Sequence, residues 1–258
     1  MKKIIISLLT LILSVSGLFT STVYASRTNN TVIIDGHRIT ISNVDGYITA
    51  EMIERNTKYQ LSHKQFTNSF NLKEKDILSR IANENIYTVN FKSLDGSTID
   101  VSMQNNQTGE MVERPKYQTR EAIAIGLGWL ALSALAKALM TVAGVIVIGG
   151  ITYYSVTALS RILREQPTIH YYSAKLHNGN LYIGTPLRTH SQAVSVLKSY
   201  GDIIARNREY ARSIAVSVSP VRKVLHDRRH TNNAGYLNHF HYYRNNKDVV
   251  RHVHAFYQ

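Results

Sequence analysis

The chain contains no cysteine, which excludes disulfides and thiolate metal ligands alike and leaves stability to packing and hydrogen bonding. Acidic residues are also few, with 17 Asp and Glu against 30 Lys and Arg and a formal net charge of +13. The shortage is local. Residues 26–120 hold 12 basic and 11 acidic side chains, whereas residues 166–258 hold 13 basic and only four acidic ones, Asp202, Glu209, Asp227 and Asp248. A two-metal nuclease gathers several carboxylates around Mg²⁺, and four scattered ones argue against that chemistry. A polycation instead suits phosphate-bearing partners, nucleic acid or lipid headgroups. A basic protein that is merely soluble is the alternative.

What is present begins with Lys2-Lys3, the apolar stretch Ile4 to Phe19 and Val23-Tyr24-Ala25. A charged head, a hydrophobic body and a small-residue site predict a signal peptide over 1–25, cleaved after Ala25, and a protein that is secreted or held in the cell membrane. The apolar body is short for a span, so a retained anchor is the weaker alternative. The lack of cysteine fits export from a cell without a disulfide-forming periplasm.

Residues 26–120 read as a β-rich N-terminal module. Thr31 to Ser42 and Tyr87 to Met103 alternate apolar and polar, and Asp35-Gly36, Asp45-Gly46 and Asp95-Gly96 signal turns. Lys73 to Asn83 predicts a short amphipathic helix with Ile77, Leu78 and Ile81 as its buried stripe. His37 and His63 stand alone, and no catalysis is assigned to them. Residues 121–164 are apolar, and Ala138 to Leu159 carries no charge. That run matches the roughly 20 residues a spanning helix needs. It predicts either a transmembrane helix or a buried helical hairpin, with a bend at Gly149-Gly150. Arg114, Lys116 and Arg120 on one side resemble Arg161 and Arg164 on the other, so flanking charge does not orient it.

Residues 165–258 read as a basic, His-rich α+β domain holding nine of the eleven histidines. Its expected order is a hairpin around His177-Asn178-Gly179-Asn180, a helix from Ser191 to Tyr200 closed by Gly201, and a strand from Asp202 to Ala205. A helix opened by Asn207 and stopped before Pro220 follows, then a basic loop over Val221 to Ala234. The fold class expected is therefore an α+β C-terminal domain behind a β-rich N-terminal module and an apolar helical middle segment, transmembrane or buried.

Two His-x-His pairs, His239/His241 and His252/His254, close the chain on what reads as one β-hairpin. Side chains alternate across a strand, so each pair shares a face, while Phe240, Tyr242, Val253 and Tyr257 project from the other. One pair is odd-numbered and the other even-numbered, so any antiparallel register with an even-numbered loop brings all four rings to one face. A two-residue turn at Asn246-Lys247 would set His241 opposite His252 and His239 opposite His254, although Gly is favoured in such a turn and a longer loop is open. Histidines merely exposed on a sheet surface are the plainer alternative.

The order Tyr171-Tyr172-Ser173-Ala174, Ile183-Gly184, a helix with Ala193 and Leu197, Gly201-Asp202, the helix Tyr210-Ala211-Arg212-Ser213-Ile214-Ala215, and Gly235-Tyr236 to Tyr257 resembles a family of secreted toxins of Gram-positive bacteria. It also resembles the toxin tips that end larger polymorphic toxins. Those tips close with a Gly-Tyr, a His-Tyr-His or similar triplet and a final His-x-Phe-Tyr, matched here by Gly235-Tyr236, His239-Phe240-His241 and His254-Ala255-Phe256-Tyr257. The tips carry Pro after the triplet, where this chain has Tyr242. The resemblance covers residues from Pro167 onward, and it implies toxicity without fixing a substrate.

Metal-free RNA cleavage needs a base for the 2′-hydroxyl, an acid for the leaving oxygen and cations for the phosphorane, and His with Arg supplies all three. The expected catalytic residues are His239, His241, His252 and His254, one pair supplying the base and the other the acid. Arg228, Arg229, Arg251, His226, His230 and Tyr257 are expected to bind substrate. This reading assigns no metal and no cofactor. It expects nucleic acid, RNA before DNA, as substrate, a membrane contact through residues 122–163, and a cognate immunity protein. Two rival readings stay open: a His-ligated zinc hydrolase, and a non-enzymatic toxin that inserts through 122–163.

Overall fold

A two-residue period builds the first half of the chain. The computed structural model describes residues 29–79, 84–96, 98–112, 120–228 and 237–258. The expected signal peptide lies outside the described residues, as do Arg229, His230 and the Gly235-Tyr236 pair. Strands β1 (Asn30–Ile34), β2 (His37–Val44), β3 (Tyr47–Glu54), β4 (Thr57–Lys64), β5 (Phe70–Asp76) and β6 (Glu84–Leu94) pair in chain order as an antiparallel meander. Ile39 and Ile41, then Ile48, Ala50 and Met52, then Tyr59 and Leu61 are buried at alternating positions on one face. The turns at Asp35-Gly36 and Asp45-Gly46 join β1 to β2 and β2 to β3.

The expected helix over Lys73 to Asn83 is corrected. Its first residues belong to β5, paired to β4 and β6 on both sides, and Ile77 and Leu78 are exposed rather than buried. Phe70 and Leu72 sit in the core at a spacing of two. Pairing across two neighbours therefore overrides a helical stripe that had nothing to pack on. Residues 80–83, with Ile81, lie outside the described residues.

The middle segment is corrected too. Helix α1 (Arg120–Ala143) ends at Gly144, and the chain then makes a hairpin of β9 (Val145–Ile148) and β10 (Ile151–Ser155). A 3-10 turn (Val156–Ala158) and helix α2 (Leu159–Glu165) follow. The uncharged run is thus strand and helix by turns. No helix among the described residues is long and apolar enough to cross a membrane. α1 lies across β1 to β4, burying Trp129, Leu132, Leu135 and Leu139; each such leucine stabilises the fold by about 2 kcal/mol. β9 is apolar throughout because neighbours flank both its edges and Val145, Ile146 and Val147 are all buried. A continuous apolar run of this sort has no period from which helix and strand can be told apart. Gly149 and Gly150, at φ of +57° and +78°, make the two-residue turn that an uninterrupted helix would not tolerate.

Among the described residues, sixteen strands form one mixed sheet, and strand far outweighs helix. This replaces the expected succession of β-rich, apolar helical and α+β parts. β6 makes the connection: its first residues pair with β5, and Ser93 and Leu94 beyond them pair with β9. Its other edge carries β7 (Ile99–Asn105), which pairs with β8 (Met111–Val112). From β10 the sheet continues through β12 (Asn180–Leu187), β11 (Tyr171–His177), β13 (Asp202–Ala205), β16 (Ala255–Tyr257), β15 (Asn238–Tyr242) and β14 (Val224–Asp227). β14 occupies part of the expected basic loop.

Helices α3 (His190–Lys198) and α4 (Arg208–Val218) cover one face of this last part. Thr189 and Gln192 form a capping box at α3, and Asn207 caps α4 through the Tyr210 amide. The opposite face joins the core of the first half, where Tyr172, Ile183, Ile204 and Phe256 share a cluster with Tyr154 and Ile162. β13 and β16 run parallel, which seats the chain terminus inside the sheet between β13 and β15.

Candidate functional site

β15 reads Asn-His-Phe-His-Tyr, and its alternation sorts two chemistries. Phe240 and Tyr242 join Val250, Val253, Ala255 and Tyr257 against Ala211, Ile214 and Val218 of α4. His239 and His241 point to the other face, with His254 and Phe256 from the β16 side. The three imidazoles form a near-equilateral triangle, with centroids 4.8 Å apart for His239–His241, 5.0 Å for His239–His254 and 4.9 Å for His241–His254.

Each ring has its Nδ1 committed. His239 Nδ1 lies 3.1 Å from the Leu237 carbonyl oxygen, His241 Nδ1 lies 3.0 Å from that of Val253, and His254 Nδ1 lies 2.8 Å from Asp202 Oδ1. A carbonyl oxygen only accepts, and an ionised carboxylate does the same, so Nδ1 carries the proton in all three. In the neutral rings the lone pair then sits on Nε2. His239 and His241 are buried, while 15% of the His254 side chain remains exposed. Burial, with the neighbouring His254 charge as the next cause, holds the His241 pKa below the ordinary histidine value.

Two carboxylates stand at the triangle. Asp202 opens β13, and the parallel β13–β16 pairing brings it to His254, whose backbone amide also donates to Asp202 Oδ1 at 2.8 Å. Asp227 lies opposite His239 in the β14–β15 pairing, with Oδ2 3.9 Å from His241 Nε2 and 4.0 Å from Arg251 Nη1. Both residues are among the acidic side chains dismissed as scattered. Asp202 is 52 positions from His254, and no local signal in the sequence links them.

The other expected site residues are placed as follows. His252 is exposed and stacks on Tyr200 at 5.5 Å, apart from the triangle. Its separation follows from the loop, which is longer than the two-residue turn considered at Asn246-Lys247. Tyr243 bridges Val249, and the Asn245 side chain accepts from the amides of Lys247 and Asp248. His239 consequently pairs with Phe256, a register moved by two residues, which preserves the face of His254. His226 and Tyr257 sit on the face opposite the triangle, where His226 Nε2 is 2.7 Å from the Tyr257 hydroxyl. Arg228 and Arg251 are exposed. Arg229 and His230 lie outside the described residues.

No protein-family model, curated protein or solved structure matches the chain. Three imidazoles with Nδ1 held, two carboxylates oriented by the sheet and an exposed guanidinium at the edge can hold an electrophilic cation or move protons.

Proposed function

We propose that the C-terminal part of this chain is a hydrolytic toxin domain that cleaves phosphodiester bonds, RNA before DNA, at the triangle of His239, His241 and His254. The single observation that carries the reading is this triangle, with its Nδ1 atoms held and Asp202 and Asp227 beside it. Arg251, 69% exposed in its side chain, supplies a cation at the edge for a phosphate, and the surplus of basic residues over 166–258 attracts a polyanion. The toxin element of the proposal rests on the resemblance carried by Gly235-Tyr236, His239-Phe240-His241 and the closing His254-Ala255-Phe256-Tyr257. An immunity protein in the producing cell belongs to that element.

The test uses the whole chain, because β12 pairs with β10 and the face bearing Tyr172 and Phe256 is covered by the first half of the molecule. Purified protein is incubated with total RNA and with duplex DNA. Cleavage by the wild type, reduced about 100-fold or more in His254→Ala, is the expected result. Absence of cleavage of either nucleic acid by well-folded wild type would overturn the reading.

A further inference from the structure

We infer that His239, His241 and His254 form a three-histidine site for a divalent transition cation of the zinc class, oriented by Asp202 and faced by Asp227. Three buried or half-buried rings donate Nδ1–H outward to Leu237, Val253 and Asp202. A ring whose Nδ1 carries the proton has its lone pair on Nε2, the nitrogen through which an imidazole held in this way binds a cation.

Distance supports the same conclusion. One ring nitrogen from each histidine lies within 4.8 Å of those of the other two. A tetrahedral cation with Zn–N bonds of about 2.1 Å asks for nitrogens roughly 3.4 Å apart, so binding draws the rings together by up to about 1.4 Å. His254, with 15% of its side chain exposed, is the ring of the three that reaches solvent.

The surroundings match what cation sites require. Asp202 accepting from His254 Nδ1 is the carboxylate–histidine pairing that fixes ring orientation and raises ligand basicity. Asp227 Oδ2, 3.9 Å from His241 Nε2 and 4.0 Å from Arg251 Nη1, places a second carboxylate beside the triangle. All-nitrogen donors select zinc, cobalt, nickel or copper over magnesium and calcium, which take oxygen ligands. With no cysteine in the chain, imidazole is the only strong soft-side ligand it possesses. The inference rests on the hydrolytic reading for the use made of the cation, while occupancy is measured separately.

The experiment takes the full chain without an affinity tag, strips it with a chelator and titrates it with Zn²⁺ against a chromophoric competitor, with bound metal counted by elemental analysis. The wild type is expected to retain about one equivalent, with affinity falling on the order of 100-fold in His254→Ala and about 10-fold or more in Asp202→Asn. His37→Ala, at the start of β2 and outside the triangle, is the control expected to bind as the wild type does. Thermal melts of each apo variant establish that it is folded, and zinc should raise the wild-type melting temperature but not that of His254→Ala. Failure of folded wild type to hold Zn²⁺, or equal affinity in His254→Ala, overturns the site. RNA cleavage that persists in chelator by metal-free protein overturns the cation's use in cleavage and leaves the hydrolytic reading standing. One bound equivalent with no cleavage of nucleic acid upholds the site and removes the hydrolytic reading.

Discussion

Asp202 Oδ1 accepts two hydrogen bonds from His254, one from the backbone amide and one from ring Nδ1, each 2.8 Å long. One oxygen therefore fixes both the main chain entering β16 and the ring that completes the triangle. Asp202→Asn keeps an acceptor of the same shape but removes the charge. We expect the fold to persist, with activity or cation affinity falling by about 10- to 100-fold. Asp202→Ala should in addition lose about 1–3 kcal/mol of stability, since two donors lose their partner. Chemical denaturation of both variants beside the activity assay separates the two effects.

His63 predicts a pH dependence of stability. It is buried, donates Nδ1–H to the Ser69 carbonyl and takes a 2.6 Å hydrogen bond at Nε2 from the Tyr154 hydroxyl, so the fold holds it neutral. Burial lowers its pKa from 6.5 to about 4. Between those values the unfolded chain binds a proton that the folded chain refuses. Stability is therefore intact above the unfolded pKa and falls as pH drops through the window, by about 3 kcal/mol at most. Urea midpoints between pH 7 and pH 4 should show a smaller loss in His63→Gln than in the wild type. Parallel pH curves for the two proteins would show that the proton is taken up elsewhere.

Tyr154→Phe tests the same contact from the other side. The Tyr154 hydroxyl also accepts from the Phe66 amide at 2.8 Å, so its removal leaves a buried imidazole nitrogen and a backbone amide without this partner. We expect a loss of about 1–3 kcal/mol, with less than additive loss when it is combined with His63→Gln. A double-mutant cycle by denaturant titration measures the coupling.

Gly150→Ala should cost about 1 kcal/mol through backbone strain, because φ is +78° and no atom lies within 4 Å of an added Cβ. The loss should appear as an earlier melt with unaltered activity. A neutral outcome would mean the β9–β10 turn is made differently.

A fragment of residues 166–258 should bind a hydrophobic dye more strongly than the whole chain does. Cutting there uncovers Tyr172, Ile183, Ile204 and Phe256, which are packed with residues of the first half. Dye fluorescence on fragment and full chain at equal concentration provides the comparison.

Much of the candidate site was legible from spacing. A two-residue period places His239 with His241 and Phe240 with Tyr242 whatever the sheet around them, and the parity of His254 survives any slip of two in register. His252 was not legible, because its position depends on how residues 243–250 fold into a loop. Asp202 and Asp227 were not legible either, since each reaches the triangle through pairing between strands distant in sequence. The same limit explains the apolar run from Ala138 to Leu159: with every residue hydrophobic there is no period to read, and only neighbours on both sides of β9 make it a strand.

By itself the sequence determined which side chains share a strand face, where Asp-Gly and Asn-Gly force the chain to turn, and where positive charge accumulates, since these follow from backbone geometry and composition. The tertiary structure alone decided that the apolar segment becomes helix and hairpin and that β16 slips in parallel beside β13. It also decided that Asp202 meets His254. Such choices depend on the free energy of contacts between segments far apart in the chain, which no local pattern encodes.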